Sequence, residues 1–261
     1  MCSSDLGPYA ERPGYDFMIQ GMGGMMSVTG EPDGAPVKCG VPVTDFTAGL
    51  YGAFAVGAAL AQVRAGGTGM HIDVPMLGTS LAIAALQTSE FFGTGRDPQA
   101  LGSAHPRNAP YQAYPARDRF FVIAAGNDKL WASVCRIVGH EDLASDPRFV
   151  TVRDRAKNQK VLADILSAIF KTRDAAAWLE DFARAGVPAS PINSYSEAVA
   201  DPQVQASGWV QPMTLPGGAE TRTFASPLRF DGALAPVRTR PPLLDENRAE
   251  ILDRLNGKSP T

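Results

Sequence analysis

Hydrophobic and polar positions follow helical spacing over the first part of this chain and strand spacing only later. Segment 15–28 is rich in glycine and methionine, and Gly-Gly inside a helix costs about 1 kcal/mol per glycine, so close backbone packing is expected there. A turn at Gly30 and Pro32-Asp33-Gly34 follows. Thr44 or Asp45 then caps a helix running to about residue 65, ended by Gly66-Gly67. A short alternating strand over 70–74 leads into a helix over 76–92. A long polar loop covers 93–110, and loops of that length act as lids or binding elements. Strand patterning over 111–114 and 119–125 around Arg117-Asp118 predicts a hairpin. Apolar stripes mark three helices, at Leu130 to Val138, Val161 to Phe170 and Trp178 to Ala183. A strand over 188–193, at least two more within 209–230, a proline-rich stretch over 235–242 and a helix over 245–255 complete the chain.

This order predicts an α/β protein. Residues 1–95 form part of a larger domain carrying the Asp45 helix, 96–205 a flap loop and a small α+β domain, and 206–261 a tail that returns to the large domain. The longest uncharged apolar run, from Phe46 to Val63, ends at Arg64 and is rich in Gly and Ala, which reads as a tightly packed interior helix rather than a membrane span. Met1 to Leu6 lack the order of a signal peptide and run straight into Gly7-Pro8-Tyr9, as in an open reading frame cut inside a longer domain.

Composition narrows the chemistry. Of 261 residues, 44% are hydrophobic and 20% charged, ordinary for a folded protein. A net charge of -3 gives no reason to expect nucleic acid or an anionic membrane as partner. Cys2, Cys39 and Cys135 form no CxxC pair, which fits a reducing cytoplasm. His71, His105 and His140 stand at no metal-ligand spacing, so no metal site is predicted. His140, after Gly139, reads as a residue of a helix C-terminus. No GxGxxG, GxxxxGK[ST] or GxSxG motif occurs, which argues against dinucleotide, phosphate-loop and serine-hydrolase chemistry. Arg153 and Arg155 read as a solvated face.

Asp45 holds the most chemistry. As a helix cap it stabilises by about 1 kcal/mol. As a carboxylate at a helix N-terminus between apolar walls it is also suited to attack an acyl carbonyl. The two roles do not exclude each other. His105, within the polar loop, is a binding candidate because loops collect such residues.

The motifs Gly7-Pro8-Tyr9, Arg12-Pro13-Gly14-Tyr15-Asp16, Thr29-Gly30, Gly40, Thr44-Asp45 and Gly49 resemble those of class III (CaiB/BaiF-type) CoA-transferases. Ile72-Asp73-Val74, Pro110-Tyr111-Gln112, Asp146-Pro147-Arg148-Phe149 and Gly186-Val187-Pro188 continue the resemblance in order over nearly the whole chain. Gly102-Ser103-Ala104-His105 and Ala124-Ala125-Gly126-Asn127 are similar to members that move CoA between succinate and dicarboxylates such as glutarate. The resemblance implies a Rossmann-like large domain, here incomplete, a small α+β domain, and a homodimer of interlocked chains. It implies transfer of CoA from an acyl-CoA, with succinyl-CoA as donor, to a small carboxylic acid through an aspartyl-CoA thioester on Asp45. No permanently bound cofactor is implied, because the CoA thioester is itself the substrate. Tyr15 matches a residue lining the CoA site and Met76 one near the acyl group. Ser103 and His105 fall in the flap, where Ser-Ala-His-Pro replaces the family's glycine run.

Two other readings differ in kind. The α-methylacyl-CoA racemases resemble this chain around Gly14-x-Asp16 but carry a histidine where Tyr15 stands. A phenol with a pKa near about 10 is a poor exchange base. A non-catalytic fragment is the third reading, prompted by the abrupt start.

Overall fold

A computed structural model describes residues 7–257, so the expectation for Met1 to Leu6 lies outside the described residues. The chain divides into two compact units, 1–191 and 192–261.

The first unit opens with helices α1 (Asp16–Met22), α2 (Met25–Val28), α3 (Val43–Arg64), α4 (Met76–Ile83) and α5 (Ala85–Thr94). Gly23 and Gly24 lie not within a helix but at the break between α1 and α2, where Gly24 adopts φ 79°. Gly23 faces the buried Ser80 of α4 so closely that any side chain would strike its hydroxyl, as the close-packing expectation requires. The strand expected over 70–74 does not form, and that segment pairs with no strand among the described residues. The single helix expected over 76–92 is two, parted at Ala84.

The largest departure is α3. Expected as a tightly packed interior helix, it has Thr44 as its one buried residue. Phe46, Leu50 and Phe54, one helical turn apart, are 67%, 71% and 77% exposed. Its half-covered side carries Ala48, Gly52, Ala55 and Ala59, and the helix packs on α4. A Cβ at Gly49, Gly52 or Gly57 would meet nothing within 4 Å, so close packing does not explain these glycines within this unit. At 22 residues α3 is also, by length and composition, apolar enough to cross a membrane, where the sequence reads as an interior helix rather than a span.

The rest of the unit is a small α+β layer. Strands β1 (Tyr111–Pro115), β2 (Phe120–Ala124) and β3 (Ala189–Pro191) form an antiparallel sheet in the order β1-β2-β3. The predicted hairpin is present, with Tyr114 opposite Phe121 and Gln112 opposite Ile123. Helices α6 (Asp128–Ile137), α7 (Val152–Lys157), α8 (Gln159–Phe170) and α9 (Ala175–Arg184) match the three apolar stripes and add a short one. Asn127 caps α6 through Leu130 N–H. At its other end Gly139 (φ 73°) and the His140 amide, bonded to the Cys135 carbonyl, close the helix, as expected of that pair.

The core sits between this sheet and its helices. Phe170 is fully buried and meets Tyr114, Phe121 and Trp178 edge-on at 5.2–5.3 Å between ring centroids. Trp178 also donates its indole N–H to the Phe170 carbonyl at 2.9 Å. Cys135 is fully buried, and burial pushes its thiol up to about 12, which leaves it unreactive.

The second unit contains α10 (Tyr195–Ala200), α11 (Pro202–Ser207), a ribbon of β4 (Val210–Thr214) with β5 (Glu220–Phe224), a second ribbon of β6 (Arg229–Phe230) with β7 (Ala233–Leu234), and α12 (Arg248–Leu255). Ser194 and Glu197 form a reciprocal capping box at α10.

Phe170→Ala removes the ring on which the small layer converges and should lower stability by about 3–5 kcal/mol. Urea unfolding followed by tryptophan fluorescence checks this, and a loss below about 1 kcal/mol would contradict it.

Candidate functional site

The start of α3 is built from two helices. Its N-cap position is Pro42, which offers no side-chain acceptor, so neither Thr44 nor Asp45 is the cap expected from sequence. They are the second and third helical residues. The acceptor comes instead from Asp16, the first residue of α1. Asp16 Oδ1 receives the Thr44 amide at 3.0 Å and the Thr44 hydroxyl at 2.8 Å. Asp16 Oδ2 receives the Gln20 side-chain amide at 2.7 Å. Gln20 Oε1 in turn receives the Cys39 amide at 2.8 Å. Thr44 and Gln20 are fully buried while Asp16 and Cys39 are half-buried, so these bonds are partly shielded from water.

Sequence reasoning noted Asp16 only as a motif position and missed this role. A signal existed: Asp16 and Gln20 are spaced i, i+4, which places them on one helix face.

Asp45 is half-buried, one residue beyond Thr44. Its Oδ1 is shielded from solvent and has no hydrogen-bond partner among the described residues. Buried polar atoms are nearly always paired, so this oxygen is an exception among the described residues, as are Ser80 Oγ and the indole nitrogens of Trp131 and Trp209.

Tyr15 directly precedes Asp16 and is 63% exposed. Met76 is buried at the first position of α4, a helix packed on both α1 and α3. Asp45 lines none of the three cavities described on this unit. One, of about 410 Å³, lies between the Gly23–Thr29 turn and the α4–α5 pair. Another, of about 440 Å³, lies along the small sheet beside Ser103, Tyr111 and Val122.

Ser103 and His105 are bound to the edge of the small sheet, not to the α1–α3 junction. Ser103 Oγ accepts the Ala113 amide at 3.0 Å. The His105 amide donates to the Tyr111 carbonyl at 3.0 Å, and its ring lies 4.9 Å from the Tyr111 ring. His105 Nδ1 accepts the Arg107 amide at 3.1 Å, so in neutral imidazole the proton sits on Nε2. Gln159 of α8 donates to the His105 carbonyl at 3.1 Å. At its other end the loop is tied by the Gly102 amide to the Gly30 carbonyl at 2.8 Å.

Arg155, expected on a solvated face, is fully buried beneath this loop. It donates to the carbonyls of Ala109, Phe149 and Val150 at 2.8–3.2 Å and to Asp128 at 2.7 Å. Its burial follows from those unpaired carbonyls, a demand that helical periodicity does not encode.

The chain matches CoA-transferase family III over residues 4–248. It is 39% identical over 260 residues to the succinate–glutarate CoA-transferase of Agrobacterium fabrum, covering 95% of this chain and 62% of that protein. It is 34% identical over 246 residues to the mouse succinyl-CoA:glutarate CoA-transferase, covering 94% of this chain and 56% of that one. Among solved structures, a CaiB/BaiF family protein from Brucella suis superposes with a TM-score of 0.80 at 39% identity, covering 97% of this chain and 65% of that chain. The chain thus spans about six-tenths of the length of the curated relatives it matches.

Burial pushes the Asp16 carboxyl up, but the bonds from Thr44 and Gln20 and the nearby Lys38 charge outweigh it, so its pKa lies below the usual carboxylate range. Such a group adds stability above about pH 4, and the addition fades as pH falls through the folded value. The gap in unfolding midpoint between wild type and Asp16→Asn should therefore be widest near about pH 7 and shrink towards about pH 2. Thermal melts across that range check it, and a gap independent of pH would contradict it.

Proposed function

This chain belongs to CoA-transferase family III, and we propose that it transfers coenzyme A from an acyl-CoA, with succinyl-CoA as donor, to a small carboxylic acid through Asp45. The observation that carries this reading is the unpaired, shielded Asp45 oxygen in the first turn of α3. It is supported by relatives named for CoA transfer with succinate and glutarate.

The steps balance without an outside energy source. The Asp45 carboxylate attacks the thioester carbonyl of the donor, the C–S bond breaks, and CoA leaves as its thiolate, forming a mixed anhydride. The thiolate attacks Cγ of Asp45, the anhydride C–O bond breaks, and the donor acid departs as its carboxylate. Asp45 now carries CoA as a thioester. The acceptor carboxylate attacks that Cγ and expels the thiolate, giving a second anhydride. Attack of the thiolate on the acceptor carbonyl releases the new acyl-CoA and restores the Asp45 carboxylate. No proton is gained or lost overall, and thioester energy passes through bound acyl species.

Desolvation of Asp45 raises its reactivity in this scheme by removing the water that would otherwise solvate the anion. Tyr15 and Met76 line the path of CoA and the acyl group. Ser103 and His105, pinned to the sheet edge, supply donors to the acid, with Nε2–H the free donor of His105.

Incubation with succinyl-CoA should add the mass of CoA, less water, to the peptide containing Asp45. Asp45→Ala should abolish the adduct and lower any transferase activity by at least about 10³-fold. Wild-type peptides without the adduct, or full activity in Asp45→Ala, would reject the proposal.

A further inference from the structure

We infer that Asp16 is a positioning residue for Asp45: it takes over the capping of α3 and so leaves the Asp45 carboxylate unpaired. The inference rests on the reading of Asp45 as nucleophile and deepens it.

An α-helix start presents amides without intrahelical partners, and short carboxylate side chains in the first turn are drawn to them. Asp45 is such a side chain. At most helix starts an aspartate in that turn would fold back onto an amide and lose a lone pair to it. Here the Thr44 amide and hydroxyl are already bonded to Asp16 Oδ1. Pro42, at the N-cap, contributes no side-chain bond of its own. The two carboxylates therefore divide the work. Asp16 makes three hydrogen bonds, while Asp45 Oδ1 makes none among the described residues.

Gln20 makes the arrangement stiff. It holds the second oxygen of Asp16 and, through the Cys39 amide, the segment leading into Pro42. Asp16 cannot rotate away without breaking bonds to both Thr44 and Gln20. Asp16 thus acts on the reaction through the orientation of Asp45, without itself touching the acyl group.

The test combines a stability cycle with adduct kinetics. Asp45→Ala alone should leave the unfolding midpoint within about 1 °C, because no hydrogen bond is lost. Asp16→Ala should fold and lower the midpoint by only about 1–2 °C, because Asp45 swings onto the vacated Thr44 amide. The double variant should fall by at least about 2 °C more than the sum of the singles. Asp16→Ala should slow formation of the CoA adduct by at least about tenfold while KM for succinyl-CoA changes by less than about twofold. Asp16→Asn, which keeps an oxygen for Thr44, should form the adduct within about threefold of the wild-type rate.

Additive midpoints would overturn the inference, as would an Asp16→Ala chain that does not fold. A wild-type adduct rate in Asp16→Ala, or Asp16→Asn as slow as Asp16→Ala, would do the same. The cycle needs no turnover. If wild type forms no adduct, the nucleophile reading fails while the cycle still reports whether Asp45 is held off the cap.

Discussion

The hydrogen bonds that Asp16 receives from Thr44 fix the geometry on which the candidate site depends. They join residues 28 positions apart, and they do so at the point where one helix begins and another is anchored. Because the acceptor lies on α1 and the donors on α3, the placement of one helix sets the start of the other. Gln20 extends the constraint to the segment before Pro42 by way of the Cys39 amide. Each of these bonds has a buried partner, Thr44 or Gln20, and a half-buried one, so water competes with it only in part. The position of Asp45 is therefore a consequence of polar pairing two residues wide.

A second frame acts on the loop that follows α5. Its far end is fastened from below by Arg155 and Gln159, which stand at the α7–α8 junction. Arg155 spends its donors on three carbonyls and on Asp128, so its charge is buried but not unpaired. The guanidinium also lies 5.6 Å from the Trp131 ring, which is part of the aromatic core. The loop is thus coupled to the core of the small layer, and Ser103 and His105 take their positions from the β1 edge. A freely swinging flap is not what these contacts describe.

Much of the small layer was legible in the sequence because local pattern and burial agree there. The hairpin, the stripe through Leu162, Leu166 and Phe170, and the Gly139-His140 helix end all follow from short-range rules. The helices before residue 95 were less legible. Alternation at 70–74 suggested a strand, but a strand needs a partner strand to bond with, and none pairs with it among the described residues. Apolar composition suggested that α3 is interior, yet composition records only what a helix can bury, not what covers it. Asp45 was found through motif order, whereas the Asp16–Thr44 pairing was not, because bonds across 28 residues leave no periodic trace. Arg155 escaped for the same reason: its partners are backbone carbonyls, which any sequence supplies.

The composition of α3 explains why polar bonds carry so much at its start. Gly49, Gly52 and Gly57 each cost about 1 kcal/mol relative to alanine in a helix interior. Within this unit no close neighbour offsets that, since a Cβ at any of them would meet open space. Phe46, Leu50 and Phe54 face outward and add little burial on this chain alone. Helices in proteins draw most of their stability from packing of an apolar face, and among the described residues α3 has only its small-residue side and its start, against α4 and α1, to draw on. Fraying would begin where fixation is weakest, and the first turn is the place where it would displace Asp45. The bonds from Asp16 close that end. Asp45 is thereby held through Asp16, a group that responds to protonation, while Arg155, Gln159 and the β1 edge hold the loop. The start of α3 and the loop are secured by different contacts, a carboxylate acceptor in the first and a buried guanidinium in the second.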